Sequence, residues 1–167
     1  MPFSVPFDTA HGEAFLIAIG IGLLIGLERE LKNHPAGLRT HMLTALAAAI
    51  FTVMTFEIYH EMVQLDASIA RLDPLRVIEA VTAGVAFLSA GAITRAGPNI
   101  KGLTTGAGMW MAGALGVAAG AGFFAVAVLG TLLVLTITIL LGLVEKRFIR
   151  PHVAGANPEE PRVPPDV

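Results

Sequence analysis

Residues 103–144 read LTTGAGMWMAGALGVAAGAGFFAVAVLGTLLVLTITILLGLV, forty-two consecutive residues without Asp, Glu, Lys or Arg. A single membrane span needs about 20 predominantly apolar residues to cross a hydrocarbon layer roughly 30 Å thick. The stretch is therefore long enough for two spans. Gly120-Ala121-Gly122 marks the turn between them, because glycine adopts the backbone conformations that a tight connection requires.

Three further apolar stretches precede this pair, at about residues 14–27, 42–59 and 77–94. Of the 167 residues, 54% are hydrophobic and only 14% are charged, whereas a soluble domain has about 25% charged residues. We therefore expect an all-α membrane protein with five transmembrane helices, forming one domain over residues 1–150. Residues 151–167 are rich in proline without apolar periodicity, and we expect them to form a disordered cytoplasmic tail.

The connection between the second and third spans has a different composition. Residues 61–76 mix charged and apolar residues and predict a short interfacial helix or loop. Asp73 and Pro74 end this segment, and the pair predicts an N-cap followed by the first helical position of the third span.

The basic residues predict the orientation in the membrane. Of the eleven Lys and Arg residues, all but Arg71 and Arg76 fall in the loop between spans one and two, the loop between spans three and four, or the tail. Short loops rich in Lys and Arg stay in the cytoplasm, which places the N-terminus outside and the C-terminus in the cytoplasm. The net charge of -2 gives no reason to expect a nucleic-acid partner.

The fourth and fifth spans differ in the size of their side chains. Thirteen of the nineteen residues 103–121 are Gly, Ala or Thr, which allow backbones to approach closely, so we expect span four to be central. Thirteen of the twenty-one residues 124–144 are Leu, Val or Ile, which suits a peripheral helix facing lipid. Three pairs of glycines are spaced four residues apart, as at contacts between helices: Gly22 and Gly26, Gly102 and Gly106, Gly116 and Gly120. They predict either packing between helices of one chain, which we favour, or a seam between two chains of a homodimer.

A partial internal repeat relates the two cytoplasmic loops. A shift of 65 residues superposes Gly26 on Gly91 and matches the later pattern Gly-Leu-x-Thr at residues 37–40 with the same pattern at residues 102–105. Ala47 and Ala49 match Ala112 and Ala114. Either the match arises by chance from abundant Gly and Ala, or the first four spans are two parallel helical hairpins.

The Gly-Leu-x-Thr pattern also predicts an anion site at the cytoplasmic face. Each glycine lets the chain turn into a helix whose first N–H groups lack partners, and each threonine can satisfy one of them. Free N–H groups with a nearby cation attract anions; alternatively, the basic residues only anchor the membrane interface. The candidate residues are Arg29, Gly37, Arg39, Thr40, Arg95, Lys101, Gly102, Thr104 and Thr105.

Glu28, where span one leaves the membrane, allows two interpretations. It can pair with Arg29 or Arg39, which we favour, or offer its oxygens to Mg²⁺, which takes only one or two carboxylates. Mg²⁺ is the one cofactor that this residue suggests. The chain has no cysteine, and no Ser, His and Asp cluster lies on a pair of spans, so we expect no enzymatic activity.

Four segments, GLLIGLERE (22–30), PAGLRTHML (35–43), AFLSAGAITR (86–95) and IKGLTTGAGMW (100–110), resemble the MgtC/SapB family of bacterial inner-membrane proteins. The resemblance implies five spans, a cytoplasmic C-terminus and a link to growth in low magnesium. Some members inhibit the proton-driven ATP synthase, and magnesium transport has also been attributed to the family. The founding members carry a folded cytoplasmic C-terminal domain, which we expect this short member to lack.

We therefore expect a regulatory inner-membrane protein, linked to magnesium or phosphate homeostasis and acting on a partner such as the ATP synthase. The alternative is a transporter of Mg²⁺ or an anion. The lipid bilayer and a second copy of the chain are the other expected partners.

Overall fold

The structure, a computed structural model, describes residues 8–65, 73, 75–96, 98–144 and 147. The described residues form five helices, α1 (Thr9–Leu31), α2 (Leu38–Leu65), α3 (Leu75–Gly91), α4 (Leu103–Gly120) and α5 (Phe124–Val144). The predicted turn between the last two is confirmed: α4 ends at Gly120, and Gly122 has a φ of 77°, which favours glycine.

Three of the described helices are long and apolar enough to cross a membrane: α1, residues 38–64 of α2, and α5. The remaining two are shorter, with 17 residues in α3 and 18 in α4. Because α4 consists mainly of Gly, Ala and Thr, it is also less hydrophobic than a helix of Leu, Val and Ile. A helix is thus confirmed at each of the five predicted spans. By length and composition, three of these helices can cross a membrane.

The connection between α3 and α4 departs from an all-α chain. Strands β1 (Thr94–Ala96) and β2 (Asn99–Lys101) form an antiparallel hairpin in which Arg95 lies opposite Ile100. Pro98 lies at its turn, where a residue without a backbone N–H and with a fixed φ is tolerated. Three-residue strands are too short to give an alternating pattern, which is why sequence periodicity predicted no strand here.

The connection between α2 and α3 is partly described. Residues 61–65 continue α2 instead of forming a separate interfacial helix. The N–H of Leu75 donates a hydrogen bond of 2.9 Å to Oδ1 of Asp73, so the predicted N-cap of α3 is confirmed. Residues 66–72, Pro74 and the predicted tail, residues 151–167, lie outside the described residues.

The chain divides into two compact units, one ending at Leu135 and the other beginning at Thr136. In the first unit, α1 packs on α2, α3 packs on α4, and α4 also contacts α1 and α2. Helix α4 buries nine residues, as its predicted central place requires, whereas α5 buries three: Ala127, Thr131 and Val134. The described part of the second unit comprises residues 136–144, the last turns of α5, and residue 147.

Glycines bring the helices of the first unit together. A Cβ added to Gly26 of α1 would lie 2.7 Å from Cα of Leu38 in α2, and one added to Gly120 of α4 would lie 2.6 Å from the carbonyl oxygen of Ala49. Such distances are too short for any side chain, so these positions require glycine. Gly22 and Gly116 make similar contacts, and a Cβ added to Gly106 would lie 3.1 Å from the carbonyl oxygen of Ser89. The favoured interpretation of the glycine pairs, packing within the chain, is confirmed.

A buried polar cluster at the loop ends of α1, α2 and α4

Arg29 links the end of α1 to the start of α4. Its side chain is buried, and Nη2 donates a hydrogen bond of 2.9 Å to Oγ1 of Thr105. Gly26, one turn earlier, allows α1 to approach α2 closely. Two of the predicted site residues, 76 positions apart in the sequence, are thus brought into direct contact.

Glu28 is buried next to Arg29, and its carboxylate is engaged by basic residues at the end of α1. It forms an ion pair with Nζ of Lys32, one turn later, and its Oε2 lies 4.0 Å from Nη1 of Arg29. Lys32 remains about one-third exposed, so this pair joins the buried cluster to the solvent. The predicted pairing with Arg29 is therefore present as a long contact, while the closer partner is Lys32, which sequence analysis did not consider.

His41 completes the cluster from the first turn of α2. It is entirely buried, and its Nδ1 lies 2.9 Å from the carbonyl oxygen of Gly37. Since a carbonyl only accepts, Nδ1 donates this hydrogen bond, and the other ring nitrogen is Nε2. That Nε2 faces Gly108 of α4, where an added Cβ would lie 3.2 Å away. The local sequence carries no signal for this place of His41, because its burial depends on α4.

The start of α2 is already occupied by an anionic side chain. The N–H of Leu38 donates a hydrogen bond of 3.0 Å to Oε2 of Glu30, and any side chain at Gly37 would collide with that carboxylate. A carboxylate beside a helix N-terminus is stabilised by the free N–H groups and the helix dipole. Glu30, rather than Thr40 or an external anion, therefore takes this position.

The start of α4 is built differently. Gly102 is the N-cap residue with a φ of 89°, and no side chain caps the helix. The prediction that Thr105 caps its own helix is wrong, because the Thr105 hydroxyl is buried and accepts from Arg29 instead. A glycine is required at residue 102 both for the positive φ and because a Cβ there would collide with the carbonyl of Ala92.

The other predicted site residues lie on the surface. Arg39 and Thr104 are exposed in the first turns of α2 and α4. Arg95 and Lys101 are exposed on β1 and β2, at neighbouring positions of the hairpin. The structure thus brings Arg29 and Thr105 together in the interior, and it leaves the remaining cations on the outside.

Glu28 is the candidate metal ligand of the cluster. Within the described ranges of the chain, no group of three or more His, Cys, Asp or Glu side chains is arranged to hold a metal ion. The Mg²⁺ role of Glu28 stays a prediction.

His34 lies beside the cluster in the loop between α1 and α2. Its partial burial, together with the positive charge of Arg29, lowers the pKa of its imidazole below the ordinary value of about 6.5. The ring is therefore neutral at pH 7, so the loop adds no further positive charge next to Arg29 and Lys32.

A second polar contact joins α1 and α2 at the far end of the bundle. Nε2 of His11 lies 3.0 Å from Oε1 of Glu57, while Nδ1 of His11 accepts a hydrogen bond from the N–H of Asp8. Between the two ends, the helices pack through apolar residues. They include Ala18, Ile21, Ala45, Ala49, Ala112, Leu115 and Ala119.

Residues 15–147 match the MgtC family. The chain is 38% identical over 132 residues to an uncharacterized protein of Haemophilus influenzae, covering 78% of this chain and 55% of that protein. It is 38% identical over 133 residues to "Protein MgtC" of Brucella abortus, covering 79% and 52% of the two chains. It is 36% identical over 122 residues to the "Putative magnesium transporter YhiD" of Escherichia coli K12, covering 73% and 55%.

The chain spans about half the length of the curated relatives it matches. No solved structure matches it significantly.

Proposed function

Because the chain belongs to the MgtC family, we propose that it is a regulatory protein of the bacterial inner membrane, linked to magnesium or phosphate homeostasis. It acts by contact with a partner and has no enzymatic activity of its own. The five helices all lie in the membrane, as two parallel hairpins and a peripheral α5, with the N-terminus outside and the C-terminus in the cytoplasm. Family membership and the three strongly apolar helices support this arrangement.

One observation favours regulation over transport: among the described residues, the buried charged side chains lie at one end of the bundle. Glu28 and Arg29 lie at the loop end, and the layer behind them consists of closely packed Ala, Ile and Leu side chains. The hydroxyls of Thr52 and Thr131 are also buried, and each donates to a carbonyl of its own helix. A cation pathway usually places acidic side chains within the membrane.

The exposed faces of α2 and α3 suit contact with another membrane protein. Helix α3 buries only Val85 and Ser89, and an apolar groove of about 500 Å³ separates it from α2. The family resemblance makes the ATP synthase the first partner to test, and a second copy of the chain the next.

Transport of Mg²⁺ or an anion is the second candidate function, and it rests on two observations. The Escherichia coli relative carries a magnesium transporter's name, and Glu28 places a carboxylate at the cytoplasmic end of the bundle. Arg29, Arg39, Arg95 and Lys101 are the residues that an anion would meet there.

Flux in sealed liposomes separates the two functions. The full chain is reconstituted with a Mg²⁺-sensitive dye inside, and regulation predicts no uptake above protein-free liposomes. Uptake that Glu28→Gln abolishes and Glu79→Gln leaves unchanged would establish transport instead. Glu79 is the matched control because it is an exposed acidic residue of α3, far along the sequence from the cluster.

Inverted membrane vesicles test the regulatory partner. ATP-driven acidification of vesicles that contain the ATP synthase should slow when the full chain is present. Equal rates with and without the chain would remove the ATP synthase as the partner while leaving the regulatory proposal to be tested on others.

A further inference from the structure

A second apolar groove lies between α3 and α4. The two helices approach each other closely at two glycines of α4. A Cβ added to Gly106 would lie 3.1 Å from the carbonyl oxygen of Ser89, and one added to Gly113 would lie 2.8 Å from Cγ2 of Val85. Alongside these contacts the helices leave a space of about 410 Å³, the α3–α4 groove, and α2 forms its third wall.

The walls of the α3–α4 groove are uncharged. Apart from two threonines, the described residues that line it are aliphatic, aromatic or glycine. One of these threonines, Thr52, is buried, and its hydroxyl donates a hydrogen bond of 2.8 Å to the carbonyl of Ala48 in its own helix. Leu75 and Phe123 in the walls are 63% and 64% exposed, so the groove is open to its surroundings. A charged ligand would lose hydration here without gaining a partner, and the occupant complementary to these walls is therefore an uncharged, apolar group.

The size of the α3–α4 groove fits a single hydrocarbon chain. Its lining residues extend along α4 from Trp110 to Ala121, a distance of about 16 Å at 1.5 Å per residue. A helix is at least about 10 Å across, so a segment of that length occupies about 1,300 Å³, roughly three times the volume of the groove. A hydrocarbon chain is one methylene group wide, and carbon atoms pack about 3.5–4.0 Å apart, so the chain fits lengthwise where a helix does not.

The position of the groove along α4 matches the reach of an acyl chain. A length of about 16 Å is close to half of the roughly 30 Å hydrocarbon layer. At one end the groove is lined by Trp110, near the middle of α4, and at the other by Ala121 and Phe123 in the turn between α4 and α5. A chain that enters beside this turn therefore ends near the middle of the helix, as an acyl chain of one leaflet ends near the middle of a span.

We propose that the α3–α4 groove binds one acyl chain of a membrane phospholipid. The chain lies along α4, with its carboxyl end beside the turn before α5 and its methyl end beside Trp110. It packs against α3 and α4 where the two helices leave the groove between them. This inference rests on the proposed function in one respect, because it takes α3 and α4 to lie in the membrane.

Fluorescence of Trp110, the single tryptophan of the chain, tests the groove directly. The full chain in detergent micelles is titrated with phosphatidylcholine that carries bromine on its acyl chains, because bromine quenches indole fluorescence on contact. We expect quenching that saturates at one phospholipid per chain. Thr82→Phe fills the groove and should abolish the saturable quenching. Ala83→Phe is the matched control, at an exposed neighbouring position that lines neither groove, and it should leave the quenching unchanged.

Quenching of the natural sequence that rises without saturation would overturn the proposal, and so would equal saturable quenching in Thr82→Phe and Ala83→Phe. Liposomes made entirely of the brominated phospholipid separate this failure from a failure of the proposed membrane arrangement. Unquenched Trp110 in these liposomes would refute both, whereas quenched Trp110 without saturable binding in micelles would refute the bound chain alone. A dimer of the natural sequence that Thr82→Phe abolishes, measured by light scattering, would show that a second copy covers the groove instead.

Discussion

The two Gly-Leu-x-Thr segments, residues 37–40 and 102–105, place the same sequence pattern at the starts of α2 and α4, but the contacts at the two starts differ. At the first, Glu30 of α1 accepts a hydrogen bond from the helix N-terminus. At the second, no side chain caps the helix, and Thr105 accepts a hydrogen bond from Arg29 of α1. The shared pattern therefore determines where each helix begins, and α1 determines what each beginning binds.

Arg29 and Glu30 are consecutive residues, and this explains how one helix end serves two others. Successive side chains of an α-helix point about 100° apart, so neighbours reach different helices. Arg29 points into the interior towards α4, and Glu30 lies at the surface beside α2. The last turn of α1 thus holds the starts of both α2 and α4.

Removal of Arg29 should have the largest effect. Arg29→Ala leaves the Glu28 carboxylate without its buried neighbour and Thr105 without its donor. Breaking a buried charged contact costs about 3–5 kcal/mol. We expect a loss of that order in the free energy of unfolding, measured with denaturant in detergent. Arg39→Ala is the exposed control, and an equal loss in both variants would contradict a special role for Arg29.

The two glycines related by the repeat should respond differently to alanine. Gly26→Ala brings a methyl group within 2.7 Å of the Leu38 backbone, whereas a Cβ at Gly91 meets nothing within 4 Å. Overpacking costs about 1–3 kcal/mol. We expect Gly26→Ala to lower the melting temperature and Gly91→Ala to leave it unchanged. Similar melting temperatures in the two variants would show that α1 does not approach α2 as closely as described.

Loss of the Glu30 contact should cost less, because the side chain is exposed. Glu30→Ala removes the acceptor for the Leu38 N–H, and lost helix caps typically cost about 0.5–2 kcal/mol. Faster hydrogen exchange at the first amides of α2, with unchanged exchange in α4, is the expected result. Equal acceleration at both helix starts would mean that Glu30 acts on the whole bundle rather than on α2.

The smallest expected effect concerns His34. In the folded chain, burial and the charge of Arg29 hold the pKa of His34 below about 6.5, which is its value in the unfolded chain. At pH values between the folded and the unfolded pKa, the unfolded chain therefore binds more protons than the folded chain. The free energy of unfolding should therefore rise with pH between these two pKa values. It should fall as the pH drops below the pKa of the unfolded chain. A titration of the His34 ring by nuclear magnetic resonance should give a midpoint below 6.5. A midpoint above 6.5 would contradict the assigned burial.

Local sequence patterns predicted the features that depend on neighbours in the chain. Asp73 lies next to the helix that it caps, and the composition of residues 103–121 alone indicated a central helix. The pairing of Glu28 with Lys32 has the i,i+4 spacing of helical ion pairs, and that signal could have been recognised before the structure.

The contacts between helices could not be predicted in the same way. Arg29 and Thr105 are 76 residues apart, and both also fit simpler roles as an interface anchor and a helix cap. His41 packs against α4 beside Gly108, and local sequence carries no signal of that contact. Tertiary packing decides these cases, and local patterns do not record it.

A double-mutant cycle between Arg29 and Thr105 tests the central claim, that α1 holds α4 through this contact, most directly. Arg29→Met, Thr105→Val and the double variant are compared by their free energies of unfolding in one detergent. Hydrogen bonds to charged groups contribute about 1.5–3 kcal/mol, and we predict a coupling energy of about that size. Effects that add within about 0.5 kcal/mol would show that the two residues act independently and would contradict the account.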